Sequence, residues 1–574
     1  MMKQHTRLIL DPRSLRGRCM AALLGALAGC AVFLLVYGTA TLHTSWDSWI
    51  LNGYDEWDVQ QHYAGWLLFR NSHWGFPLGL ADTLAAPDGT VISYTDSLPW
   101  VSIALKLLRG VLPATFQWFG WYTLICFALQ GAAGALLCVR GSKSSGMVYG
   151  AVALLGGALF ACLPTLWERA FRHVALASQW IMLFALYAYL EYRTALAAGR
   201  TPVPWEFPVL AFVAVGIHPY FLPLVMVCAL LAAVERGRTG RGKNAWGRGA
   251  VQFVVSVAAA LCGGLLCGAL GGGSGVSRDG YGEFSMNLNA MFNPTSRGGY
   301  RWSRVLPVQG QIGGQYDGFN YLGLGVLLLV GIALAVALVG TLRDRTAAKQ
   351  WWHRNAPLVA ACAFLTLFAA SHVICWGGTE LCRLPMPQSL LNLCGIFRSS
   401  GRMFYLVGAC MLLFGVYTLR RFGGKALCAG LALTLLVQCG DLSAVAAEKH
   451  AKFEEPVRAT VVEHPETATL GVGHTRLLAT GEVREDRLRL LAILAGKQGL
   501  ATNLDIAVSG SHPQAEASRR EAGEQLQSGA YDPTAVYVTT DGEEWERWQQ
   551  IFAEEPGVGF FVADSCYFMV PPVG

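Results

Sequence analysis

Hydrophobic and polar positions fall in long blocks along this chain. Apolar runs of span length alternate with short basic clusters or with longer loops rich in Trp, Asp, Gly and Pro. A helix of about 20 apolar residues crosses the roughly 30 Å hydrocarbon core of a bilayer, so these runs predict membrane spans. The first, Cys19 to Leu42, follows the basic stretch Lys3 to Arg18. It is too long for the h-region of a secretory signal and predicts an uncleaved signal-anchor, with cleavage after Ala40 as the alternative. Further spans are predicted at about 115–139, 146–164, 175–192, 250–270, 320–341, 357–375 and 403–419, with a last one ending near Gly440. Residues 207–234 form one apolar run broken at His218-Pro219, and proline punctuation predicts two short spans there. Segment 98–112 is short and carries Lys106 and Arg109, which predicts an external or re-entrant helix.

Basic clusters then set the orientation. Arg140 and Lys143, Arg193 and Arg200, loop 236–248, Arg343 to Arg354, and Arg420 to Lys425 all fall on one side, which the positive-inside tendency assigns to the cytoplasm. The expected architecture is an α-helical polytopic membrane domain over residues 1–440, with about eleven spans and a cytoplasmic amino terminus. External loops are expected at 43–96, 276–319 and 376–402. Residues 441–574 are more charged, with strand-like runs at Thr475–Thr480, Ala535–Thr540 and Gly557–Val570. Thr539-Thr-Asp-Gly-Glu-Glu-Trp-Glu could cap and start a helix. A small extracytoplasmic α/β domain is expected there.

Composition agrees. Among 574 residues, 53% are hydrophobic and only 14% charged, which places the chain with membrane proteins. The net charge of +6 sits in the clusters that mark topology, so it gives no signal for nucleic acid. Most of the 16 cysteines lie in apolar runs, where a thiol behaves as a small hydrophobe. Cys382 and Cys394 share a predicted external loop and are a candidate disulfide. There is no CxxC pair or Cys/His spacing of the metal-binding kind.

Candidate chemistry concentrates in Gly53-Tyr-Asp-Glu-Trp-Asp-Val-Gln-Gln-His-Tyr-Ala-Gly-Trp66. It holds Asp55, Glu56 and Asp58, and on a helix Asp58 and His62 lie one turn apart on one face. Trp57, Tyr63, Trp66, Phe69, Trp74 and Phe76 surround them with side chains suited to the headgroup layer. A carboxylate placed there could deprotonate an acceptor, or Asp58 could simply favour a helix amino terminus. His62 could support Asp58 by hydrogen bonding, and a divalent metal ion at the pair is the alternative. Asp96 or Ser97 could cap the next helix. Outer positions also hold Arg172, His173, Arg301, Arg398 and Arg402, which suit phosphate contact, and His218, which is either a turn residue or a ligand. Arg398 and Arg402 fall one turn apart at a helix start, where positive charge opposes the macrodipole. Glu283 and Asp317 are candidates for acceptor contacts.

Asp58-Val-Gln-Gln-His-Tyr-Ala-Gly-Trp66 with Phe69-Arg-Asn-Ser-His-Trp-Gly-Phe-Pro-Leu-Gly79 resembles the opening of an uncharacterised bacterial multi-pass family related to the GT-C glycosyltransferases. Tyr94-Thr-Asp-Ser97, His218-Pro-Tyr220, Ser285-Met-Asn-Leu288, Asn293-Pro294, Gly314-Gln-Tyr316, Tyr321-Leu-Gly-Leu-Gly325 and Phe397-Arg-Ser-Ser-Gly-Arg402 resemble its recurring blocks, so the resemblance covers most of residues 20–420. It implies a GT-C-like enzyme of the bacterial inner membrane that uses a polyprenyl-phosphate sugar as donor. Transfer to an extracytoplasmic acceptor would invert the anomeric carbon, with Asp58 as the base and Asp55 or Glu56 as a second acid. Other expectations open from the residues are a lipid or glycan transporter, or a non-catalytic envelope assembly factor working through 441–574.

Overall fold

The structure, a computed structural model, describes residues 14–53, 58–240, 244–270, 280–455, 460–507 and 512–573. The basic start of the chain before Ser14 and the Gly271–Gly275 run lie outside the described residues. Among the described residues, seven helical segments are long and apolar enough to cross a membrane: Leu15–Tyr37, Phe119–Val139, Val174–Ala197, Ala245–Cys267, Leu324–Arg343, Ser400–Phe422 and Gly424–Ala451. Four other helices stand where spans are expected but fall outside that set. Met147–Ala161 and Glu206–Ile217 are short. Phe221–Thr239 ends on Glu235, Arg236 and Arg238, and Arg345–Ala370 opens on Arg345, Lys349 and Arg354.

Burial sorts the spans into layers. Phe119–Val139, Val174–Ala197 and Ser400–Phe422 are 72%, 78% and 72% buried, whereas Ala245–Cys267 and Leu324–Arg343 are each 28% buried. The first three form the centre of the bundle. The last two turn Val251, Val254, Leu328 and Leu338 outward, an apolar surface suited to acyl chains. Close helix contact is made by small residues. A Cβ on Gly25 would lie 2.3 Å from the Gly131 carbonyl oxygen, so Leu15–Tyr37 and Phe119–Val139 touch backbone to backbone, as small residues allow in membranes.

Two helices depart from the predicted bounds for visible reasons. Arg345–Ala370 begins well before 357 because Asp344 caps it, its Oδ1 accepting from Ala347 N–H at 2.9 Å. The last span passes Gly440 and reaches Ala451. Asp441, just past that expected end, is buried inside the helix and accepts from Tyr321 Oη at 2.6 Å and from Leu324 N–H at 3.1 Å. Cys382 lies in strand Thr379–Arg383 and Cys394 ends helix Gln388–Cys394; both thiols are free. The candidate disulfide is therefore not formed.

Small hairpins pair β1 (Leu80–Ala81) with β2 (Thr90–Val91), and β3 (Val373–Trp376) with β4 (Thr379–Arg383). The carboxyl-terminal part holds β5 (Arg476–Ala479), β6 (Ala501–Thr502), β7 (Ala535–Thr539), β8 (Gly559–Ala563) and β9 (Cys566–Val570) in one sheet, ordered β6-β5-β7-β9-β8. β5 is parallel to β6 and β7, and β9 is antiparallel to β7 and β8. Helices Glu485–Gln498, Pro513–Gln527 and Gly542–Ile551 accompany it. Asp541 caps the last, its side chain accepting from Glu543 N–H at 2.9 Å.

The free edge at β6 is closed by the first loop rather than by a strand of its own region. Thr502 N–H donates to Thr83 O at 2.9 Å, Ala86 N–H to Thr502 O at 2.8 Å, and Ala85 N–H to Leu504 O at 3.1 Å. Asp88 Oδ2 caps helix Pro513–Gln527 by accepting from Gln514 and Ala515 N–H. Helix Glu485–Gln498 lies along helix Asp58–Asn71. There Gly496 is close enough that a Cβ would meet Leu67 Cβ at 2.6 Å, and Asn71 donates to Gly496 O at 2.7 Å. Lys497 Nζ pairs with buried Asp47 at 2.8 Å.

Candidate functional site

Helix Asp58–Asn71 opens with Asp58 in its first turn, where a carboxylate is favourable to the helix dipole. One turn on, His62 is 1% exposed. The facing wall is the loop after β2, drawn against the helix because residue 65 is glycine: a Cβ there would lie 2.2 Å from Thr95 Oγ1 and 2.4 Å from Ser97 Oγ. Ser97 Oγ donates to His62 O at 2.8 Å and bonds Thr95 Oγ1 at 2.7 Å. Neither Asp96 nor Ser97 caps the following helix, Pro99–Lys106, whose preceding residue is Leu98. Asp96 instead holds a left-handed backbone, φ +53°, and its carboxylate faces histidines.

Two further imidazoles complete the group. His173 immediately precedes the span Val174–Ala197, and its Nε2 is 3.5 Å from Asp96 Oδ2. His218 stands at the break between Glu206–Ile217 and Phe221–Thr239, with Nε2 3.7 Å from Asp96 Oδ1. The rings of His62 and His173 are 5.4 Å apart, and those of His173 and His218 are 5.3 Å apart. His218 Nδ1 accepts from Tyr220 N–H at 3.2 Å, which leaves its Nε2 as the proton-bearing atom in the neutral ring. His62 Nδ1 and His173 Nδ1 are buried without a hydrogen-bond partner. Candidate metal-ligand atoms of His62, Asp96 and His173 all lie within 4.8 Å of one another.

Electrostatics follow from this burial. Burial lifts the Asp96 carboxyl to about 7, with Arg402 opposing and Asp58 reinforcing the shift. Burial lowers His62 to about 4 against the pull of Asp58, and it pushes His173 well below the usual imidazole value, helped by Arg402 and the neighbouring histidines. Asp58 and Asp96 are thus electrostatic neighbours.

Beside the histidines lies a second polar node. Asp317 is 7% exposed and accepts from Arg169 Nη1 at 2.8 Å and from Arg402 Nε and Nη2, each at 3.1 Å. Its carbonyl accepts from Arg169 Nη2 at 2.7 Å, and Arg169 Nε donates to Tyr405 Oη at 2.9 Å. Burial alone would raise the Asp317 carboxyl, but the two guanidiniums outweigh it and hold the group well below the ordinary carboxylate range. Arg402 also lies over the Tyr220 ring, 4.6 Å from its centroid. Asn320 fastens the two loops by donating to Gly318 O and Gly401 O at 2.9 Å each. Two arginines against one carboxylate leave the node with an excess positive charge.

The structure gathers Asp58, His62, His173, His218 and Arg402 at one end of the bundle and adds Asp96 and Arg169; Asp317, a candidate for acceptor contacts, joins them as a buried partner of Arg169 and Arg402. Asp55 and Glu56 lie outside the described residues. Arg172 is buried in an ion pair with Glu168. Arg398 and Arg402 do not share a helix face: Arg402 is in a short 3₁₀ turn, Ser400–Phe404, and is buried, while Arg398 is exposed with its guanidinium 5.6 Å from the Phe284 ring centroid. Glu283 is exposed on a separate cavity of about 370 Å³ that also includes Tyr281, His372 and Arg383. Arg301 is exposed, and its backbone N–H donates to Glu448 at the end of the last span. Sequence reasoning missed Arg169, in the Glu168-Arg-Ala-Phe-Arg-His173 cluster, because its partner Asp317 lies far along the chain. The clue available was an arginine-rich cluster on a side where arginines are disfavoured.

No curated protein matches the chain. Residues 26–443 match the family described as "Domain of unknown function (DUF6311)", and residues 466–571 match the "DUF6311 C-terminal domain". The first match includes every residue of the two polar nodes and most of the chain, so this protein belongs to the DUF6311 family.

Proposed function

We propose that this chain is a GT-C-type glycosyltransferase of the bacterial inner membrane, transferring a sugar from a polyprenyl-phosphate carrier to an acceptor outside the cytoplasm. In this proposal the bundle makes eleven passes, the amino terminus is cytoplasmic, and the carboxyl-terminal sheet lies on the same outer side as Asp58. The observation that carries it is the pairing of a carboxylate cluster, Asp58 with Asp96, and a cationic node, Arg169 and Arg402 around Asp317, at helix ends where a lipid headgroup would arrive.

Asp58 takes the proton of an acceptor hydroxyl, a role that typically contributes 10²–10⁴-fold. The acceptor oxygen forms its bond to the anomeric carbon from the face opposite the carrier, and the bond from that carbon to the phosphate oxygen breaks with inversion. The electron pair leaves with the polyprenyl phosphate. The surplus positive charge of the arginine node, with exposed Arg398, opposes the charge developing there.

The test is Asp58→Asn, produced at wild-type abundance in the membrane, with mass spectrometry of envelope glycans and lipid-linked sugars. Loss of one modified acceptor together with build-up of its lipid-linked donor is expected. An unchanged glycan profile would reject the proposal, and lipid or glycan translocation that persists in this variant would favour a transporter.

A further inference from the structure

We infer that His62, Asp96 and His173 form a binding site for a divalent transition-metal ion of the zinc class, with a coordination position left open to an exchangeable oxygen ligand. Three elements far apart in sequence supply the set: the second turn of helix Asp58–Asn71, the strained loop after β2, and the residue before the span Val174–Ala197. Their ligand atoms lie within 4.8 Å of one another. Around zinc, with bond lengths of about 2.0–2.2 Å, tetrahedral ligand atoms sit about 3.3–3.5 Å apart. The set needs to close by an ångström or so, which side-chain rotation supplies.

The chemistry of the donors selects the ion. Two imidazoles and one carboxylate suit zinc and its first-row neighbours, whereas calcium and magnesium favour all-oxygen sets. The alternative is a plain hydrogen-bonded His–Asp cluster, and the geometry disfavours it. The 3.5 Å between His173 Nε2 and Asp96 Oδ2 exceeds the usual 2.7–3.2 Å span of such bonds. His62 Nδ1 and His173 Nδ1, both buried, have no hydrogen-bond partner, and an unsatisfied buried polar atom is costly. An ion would recruit one nitrogen of each ring and fix the orientation of both.

His218 has a different part. Its Nδ1 is occupied by Tyr220 N–H, so its Nε2–H is directed at the other Asp96 oxygen, 3.7 Å away. At that distance it is a polar neighbour of the carboxylate rather than a member of the ligand set, and it makes no hydrogen bond to Asp96. The positive charge of the neighbouring arginine node is opposed at this site by Asp96 itself and by Asp58, whose charge acts on both Asp96 and His62.

This inference stands apart from glycosyl transfer, because its test reads metal and not activity. The full-length protein, purified in detergent without chelator, is analysed for metal content. It is then stripped and reloaded with zinc or with cobalt(II), whose visible absorption reports tetrahedral nitrogen and oxygen ligation. About one equivalent of zinc and a tetrahedral cobalt spectrum are expected. His62→Gln and Asp96→Asn should each lower zinc affinity at least tenfold, and zinc should raise the unfolding temperature of the wild type but not of Asp96→Asn. If the variants fail to fold, the wild-type stoichiometry and cobalt spectrum still decide. Substoichiometric zinc, an octahedral cobalt spectrum, or unchanged affinity in folded variants would overturn the assignment.

Discussion

Replacing Asp317 by Asn keeps the shape of the side chain and removes its charge. In the structure that carboxylate receives three N–H donors from Arg169 and Arg402 within 3.1 Å, and both guanidiniums are buried. An asparagine offers one acceptor oxygen and turns an NH₂ group toward donors. The two arginines then stay buried with no counter-charge between them. Breaking a buried ion pair from one side costs about 3–5 kcal/mol, a large share of the roughly 5–15 kcal/mol that stabilises a typical folded protein. Denaturant-induced unfolding of the purified protein in detergent, alongside its abundance in the membrane, measures the loss. The companion variant Arg169→Met/Asp317→Leu/Arg402→Met leaves no charge behind, and it should be less destabilised than Asp317→Asn alone. An Asp317→Asn protein within about 1 kcal/mol of wild type would refute the picture of a desolvated node.

Gly65→Ala should push the Thr95–Ser97 loop away from helix Asp58–Asn71, because the new methyl would overlap two hydroxyl oxygens. A loss of about 1–3 kcal/mol is expected by the same unfolding measurement, and an unchanged midpoint would contradict the contact. Lys106, 1% exposed, donates to Ser72 Oγ at 2.7 Å. Burial, with help from Arg109, lowers its amine to about 8. The folded state therefore releases this proton before the unfolded state does, so this group's contribution is lost as pH falls through about 8 and recovered toward the ordinary lysine value. Relative to Lys106→Met, the wild type should gain stability between pH 8 and 10; a difference that stays flat or reverses would exclude a desolvated amine.

Much of the bundle was legible because membrane insertion writes itself into composition: an apolar run of sufficient length reads as a helix whatever it packs against. His218-Pro219 was legible as a break for the equally local reason that proline cannot continue a hydrogen-bonded turn. The helical pairing of Asp58 with His62 needed only spacing. Asp96 was not legible, since a capping residue and a carboxylate aimed at histidines look alike until the loop is placed. Asp317 and Arg169 are nearly 150 residues apart, and no periodicity connects them. The last span, expected to end near Gly440, runs on past it because the charge of Asp441 is satisfied inside the bundle by two hydroxyls and a backbone amide.

The stitching of β6 to Thr83–Ala86 has a consequence for how this protein is made. The strand that closes that pairing is synthesised long after the first loop has emerged. The early loop must therefore wait, with its backbone groups in water, until β6 has been made. A chain cut short before β6 would carry its histidines and carboxylates but lack the brace behind them, so assembly of this end doubles as a check that synthesis reached the sheet.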